Sequence, residues 1–170
     1  MTMTREEFIE RYGGIYEHSP WVAEQAYEML LADGNAALPE LFARCVDRAD
    51  DAEKLALICA HPDLAGKAAV SGELTQDSSE EQQSAGIDQC TPGEYQRFQS
   101  LNDQYKDKFR FPFVMAVRNS DRYKILAAFE ERLQNGRDEE AAKAIREIHK
   151  IAGLRFAAMA TEEGKSADDE

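Results

Sequence analysis

Apolar side chains recur along most of the chain at spacings of three and four, the period of a buried helical face. Thr4 followed by Glu7 has the pattern of a capping box at the head of a short first helix, and Gly13-Gly14 closes it. Ser19-Pro20 reads as an N-cap with a first-turn proline, ahead of Val22, Ala26, Met29 and Leu30 and a stop at Gly34. A third helix is predicted over residues 38–49. A fourth begins near Asp50, with Glu53 three residues on, and carries Leu55, Leu57, Ile58 and Cys59. It ends at His61, because Pro62 disfavours helical geometry in the residue before it. Ser78 with Glu81 reads as another capping box, opening a helix to about Ile87. Thr91-Pro92-Gly93-Glu94 opens the next, to about Lys108. Ser120 caps one that reaches about Gln134, where Asn135-Gly136 breaks it. The last runs from about Asp138 to Ala160, with Ile145, Ile148, Ala152, Phe156 and Met159 as its apolar stripe.

Two stretches depart from this texture. Residues 61–77 contain Gly66, Gly72 and many small side chains, and read as a long loop of the kind that often carries function. Residues 109–117 are the most apolar run and contain Pro112, yet no second strand candidate exists for them to pair with. A buried extended segment near residues 109–118 is expected instead. The fold class is therefore all-α: a single compact multi-helix domain over residues 1–160, followed by an acidic tail over 161–170.

Charge narrows the partners. The 170 residues carry 33 acidic and 20 basic side chains, a formal net charge of −13. No cluster of Lys and Arg offers a phosphate-binding face, so neither nucleic acid nor an anionic lipid surface is an expected partner. No window approaches the roughly 20 apolar residues of a membrane span, and the first residues lack the apolar core of a secretory leader. Cys45, Cys59 and Cys90 form neither a disulfide frame nor a metal motif. A reducing cytoplasm is the expected compartment.

Three histidines are available for chemistry. His149 falls inside the apolar stripe of the last helix and reads as a satisfied core or interface residue. His18 lies in a turn and is given no role. His61 stands at a helix C-terminus, at the mouth of the glycine-containing loop. It could cap free carbonyls, or the same helix dipole could favour the imidazolium that a general acid needs. Glu81 is a cap by one reading and a functional carboxylate by the other. The first-turn N–H groups from Ser79 to Gln82 could receive a carboxylate, phosphate or ureide carbonyl. Arg155 sits at the edge of the last stripe, as a snorkelling or salt-bridged arginine or as a carboxylate clamp, with Arg110 and Arg118 as rivals for the clamp. Phosphate loops, nucleophile elbows and metal-ligand spacings are absent.

Four ordered motifs then fall together. They are His61-Pro62-Asp63-Leu64-Ala65-Gly66; Leu74-Thr75 with Ser78, Glu81-Gln82 and Ala85-Gly86; Phe109-Arg110-Phe111-Pro112-Phe113-Val114; and Ile151-Ala152-Gly153-Leu154-Arg155-Phe156. With them the chain resembles the 2-oxo-4-hydroxy-4-carboxy-5-ureidoimidazoline (OHCU) decarboxylase family over nearly its whole length. The resemblance implies an all-helical, usually homodimeric enzyme that needs no cofactor or metal and converts OHCU to (S)-allantoin at the end of urate oxidation. It places the catalytic histidine at His61, with Glu81 and Arg155 as its catalytic companions. Substrate contacts fall on Pro62, on Ser78, Ser79, Glu80, Glu81 and Gln82, and on Phe113, Val114, Met115, Ala116 and Val117. The departures are mild: Ile87 and Phe156 where leucine is usual, and Met115 at a variable aliphatic position. Two rival readings remain. One is an acidic helical interaction module without activity; the other is a metal-dependent decarboxylase using His61 and Asp63.

Overall fold

The structure, a computed structural model, describes residues 3–34, 36–66 and 72–168, with the side chains of the last helix described as far as residue 162. Among these residues there are eight α-helices and no strand, so the all-α expectation holds. In chain order they are α1 (Arg5–Tyr12), α2 (Trp21–Ala32), α3 (Leu38–Asp47), α4 (Asp51–Cys59), α5 (Gln76–Ser84), α6 (Pro92–Phe109), α7 (Arg122–Arg132) and α8 (Arg137–Asp168). None is long and apolar enough to cross a membrane.

The chain groups into two compact units, Met1–Ala60 with His149–Glu170, and His61–Ile148. The first holds an aromatic core in which the Phe42 ring meets Phe156 edge-on at 5.0 Å and Phe8 lies 5.9 Å from Phe42. His149 belongs here as a satisfied side chain. Its Nδ1 is 2.8 Å from the Tyr16 hydroxyl and its Nε2 is 3.0 Å from Asp47 Oδ1. Burial, then the nearby Asp47 carboxylate, pushes the Tyr16 phenol well above its ordinary range, so it stays protonated.

The second unit is built around Phe98, Tyr105, Phe109, Phe111, Phe113 and Phe129, all buried. Phe113 stacks on Phe129 at 3.7 Å, and Tyr105 meets Phe113 edge-on at 5.3 Å. That packing explains the extended segment. Phe111, Phe113, Val114 and Val117 are buried without belonging to any strand. The apolar run is a core filler whose backbone must find other partners.

Several helix starts differ from expectation. Thr4–Glu7 and Thr91–Glu94 are reciprocal capping boxes, and Asp50 caps α4 through the Glu53 N–H. Ser19, however, does not cap α2: its hydroxyl donates to the Glu17 carbonyl at 2.9 Å, and Pro20 occupies the cap position in helical geometry. Asp121, not Ser120, caps α7, with Oδ1 accepting from the Lys124 N–H at 2.9 Å. The carboxylate one residue later also aligns with the helix dipole, which a serine does not. The last helix continues to Asp168, past the predicted Ala160 end.

Candidate active site

Helix α5 begins three residues earlier than the capping pattern suggested. Thr75 is its N-cap, accepting from the Ser78 N–H at 3.2 Å, and the helix ends at Ser84 instead of running to Ile87. Gly86, in left-handed geometry, turns the chain into a 3-10 turn at Ile87–Gln89. Ser78 and Glu81 are therefore not a cap pair but interior helical residues. The Ser79 N–H is already donated to the Thr75 carbonyl at 2.9 Å, so the anion-docking role expected of that turn does not hold there. What α5 presents instead is a face. Ser78, Glu81, Gln82 and Ala85 are buried at helical spacing, while Glu80 is exposed and accepts from Gln76 Nε2 at 3.0 Å. Ser79 is half-buried.

His61 follows α4, just beyond the Ala60 cap, and is only 8% exposed. The turn after it is tight. Ala65 has φ of +55°, and a Cβ added at Gly66 would stand 2.7 Å from Asp63 Cβ. Only glycine fits the second position, and the first is left-handed geometry that L side chains seldom adopt. Gln82 joins this turn to α5: its Oε1 accepts from the Ala65 N–H at 3.2 Å and its Nε2 donates to the Asp63 carbonyl at 3.4 Å. Thus the turn behind His61 and the Glu81 face are brought together, and Glu81 is itself 8% exposed. Two buried titratable side chains on adjoining pieces of chain are the expected raw material of acid–base chemistry. Residues 67–71, part of the loop predicted over 61–77, lie outside the described residues.

The Phe113–Val117 segment is also anchored. Arg132 Nη1 donates to the Val114 carbonyl at 2.7 Å, and its Nε pairs with Glu140 Oε1 at 2.6 Å. The guanidinium lies 4.3 Å from the Phe113 ring centroid, and the Tyr105 hydroxyl donates to Glu140 Oε1 at 2.9 Å. Glu147 Oε1 accepts from the Ala116 N–H at 3.4 Å. Arg155 is 3% exposed and ion-paired. Its Nη2 meets Glu17 Oε2 at 2.7 Å, and its Nη1 donates to the carbonyls of Gly14 and Ile15. Among its rivals, Arg110 is exposed in left-handed geometry after α6, whereas Arg118 keeps a buried Nε with no hydrogen-bond partner among the described residues.

A cavity of about 260 Å³ opens beside α5, lined among others by Ala65, Ser79, Gln82, Cys90 and Tyr95. Among the described residues no group of three or more His, Cys, Asp or Glu side chains is arranged to hold a metal ion. Arg132, Glu140, Glu147, Glu17 and the α6 residues Gln99, Asn102 and Lys106 were not candidates from sequence. Asn102 did leave a trace there, as a polar residue inside the apolar series Phe98, Leu101, Tyr105 and Phe109.

An all-helical protein with a buried histidine and glutamate on adjoining segments is the class these features define. The sequence profile described as OHCU decarboxylase matches residues 1–157. The OHCU decarboxylase of Halalkalicoccus jeotgali is 40% identical over 152 residues, covering 89% of this chain and 84% of its own. That of Xenopus laevis is 37% identical, covering 91% and 89%. The crystal structure of (S)-allantoin synthase superposes with a TM-score of 0.73 at 32% identity, over 92% of this chain and 50% of that one. The chain belongs to the OHCU decarboxylase family, and is a carboxy-lyase of urate degradation.

Proposed function

We propose that this chain decarboxylates OHCU to (S)-allantoin without a cofactor, with His61 as the proton donor. The carrying observation is the burial of His61 on a turn that Gln82 ties to the Glu81-bearing face of α5. The substrate's carboxylate sits on a carbon next to a ring C=N bond. When the bond to the carboxylate breaks, carbon dioxide leaves and its electron pair forms a C=C bond, pushing the imine pair onto nitrogen, which takes a proton. The substrate is its own electron sink, and so the chemistry asks for no cofactor. The resulting enol then loses its hydroxyl proton and gains one at the ureido-bearing carbon. One positioned acid on one face gives one enantiomer, and His61 is assigned that proton. The (S) configuration is the one in the name of the structural relative.

Glu81 is assigned to the substrate hydroxyl, orienting it and accepting its proton, or to holding His61. Its buried place inside a helix supports this, since the capping task that competed for it belongs to Thr75. Pro62, Ser78, Ser79, Gln82 and the Phe113–Val117 backbone are proposed to hold the ring and ureido groups; the exposed Glu80 is the outlying member of that set. Arg155 is proposed to orient an anionic part of the substrate, not to grip the departing carboxylate, which would stabilise the ground state. Its guanidinium is fixed in place by the Glu17 carboxylate and by the carbonyls of Gly14 and Ile15. A homodimer and a cytoplasmic setting complete the proposal. The free thiol of exposed Cys59 suits a reducing compartment, which cell fractionation tests.

The test is circular dichroism while urate oxidase and the following hydrolase generate OHCU in place, with a chelator present. This protein should produce the (S)-allantoin signal at once, and His61→Asn should lower kcat by about 100-fold or more with the melting temperature retained. A racemic product formed at the spontaneous rate overturns the activity. Full turnover by His61→Asn overturns the proton-donor role.

A further inference from the structure

The turn behind His61 is held far more tightly than a surface turn needs to be. Helix α6 sends three side chains to it from one face, at positions i, i+3 and i+7. Gln99 Nε2 donates to the Ala65 carbonyl at 2.5 Å, Asn102 Nδ2 to the Leu64 carbonyl at 2.9 Å, and Lys106 Nζ to Asp63 Oδ2 at 2.6 Å. With Gln82 from α5, every residue from Asp63 to Ala65 is fixed by a polar side chain. Such over-determination is what a left-handed, non-glycine residue like Ala65 requires if it is to persist.

Asn102 is the telling member. It is 2% exposed, and its Oδ1 is buried with no hydrogen-bond partner among the described residues. A half-satisfied buried amide costs stability relative to an apolar side chain of the same volume. Its compensation is one fixed carbonyl, that of Leu64, three residues from His61.

We propose that Asn102, flanked by Gln99 and Lys106, is a positioning residue for the decarboxylation. It locks the 63–65 backbone and thereby the place of the His61 imidazole relative to the carbon that is protonated. The proposal rests on His61 being the proton donor. Misplacement of a reacting group by about 1 Å can cost about 100-fold in rate. A displaced acid also surrenders facial control, because solvent can deliver the proton from either side.

The experiment compares Asn102→Leu with the unaltered protein and with His61→Asn. Asn102→Leu should melt within a few degrees of the unaltered protein, lose about 10–100-fold in kcat with a smaller change in KM, and give allantoin of lower enantiomeric excess. Amide hydrogen exchange over residues 63–66 should quicken. If Asn102→Leu does not fold, the pair Gln99→Leu and Lys106→Met, at half-buried positions, carries the same expectations. Unaltered kcat, enantiomeric excess and exchange in a folded variant overturn the proposal while leaving His61 catalytic. Full activity of His61→Asn removes the catalytic premise instead, and the exchange measurement then still reports whether α6 locks the turn.

Discussion

Glu94 Oε1 accepts from two donors, the Thr91 N–H at 2.9 Å and Arg122 Nε at 3.1 Å. The backbone bond, followed by the Arg122 pairing, holds its carboxyl below the usual carboxylate range. A depressed folded-state pKa adds stability that is present above the unfolded value of about 4.3 and is lost as pH falls through the folded one. Stability should therefore decline as acid is added below about pH 4, and Glu94→Gln should flatten part of that decline in urea melts taken across pH 3–6. Identical slopes for the two proteins would remove Glu94 from the acid response. This contact was half legible from sequence: Thr91 and Glu94 form a local pattern, whereas Arg122 arrives from 28 residues away. The same limit hid Glu17, which meets Arg155 across 138 residues. Spacing arguments see neighbours on one helix and are blind to partners the fold delivers.

At the scale of elements, Thr75 decides where α5 begins and hence which of its residues face inward. Thr75→Ala should cost about 0.5–2 kcal/mol of stability, whereas Thr75→Ser should cost little, because serine keeps the accepting oxygen. Equal stability of the two variants in thermal melts would return the start of the helix to Ser78. The sequence error here has a physical source. Thr75 and Ser78 both stand at a workable cap position, and only the backbone geometry at Thr75, φ −59° and ψ 159°, selects the earlier one. Helix existence was otherwise readable, as was the unpaired run, although it starts after Phe109, which ends α6, and so covers Phe111 to Val117. What periodicity could not reveal is how that run's backbone is satisfied, because Arg132 and Glu147 come from two other helices.

For the whole molecule the net charge of −13 sets the terms of association. Two copies repel over a Debye length, about 30 Å at 0.01 M salt and 8 Å at 0.15 M. The proposed dimer should therefore tighten as salt is added. Light scattering should read twice the chain mass at 0.15 M salt or above, and a smaller value at low salt and low concentration. A single chain's mass under all conditions would overturn the dimer. Family membership was readable because its four motifs are local strings, and the residues that hold those strings in place were not. Arg132 and Glu140 show what that means for descent. Their pair is almost fully buried, at 6% and 0% side-chain exposure. Losing either partner alone strands a charge, at about 3–5 kcal/mol, while a typical domain has only about 5–15 in hand. Replacing both with apolar residues of similar volume can be close to neutral. Lineages can cross this valley only by changing the two positions together, so the pair should drift as a unit or not at all.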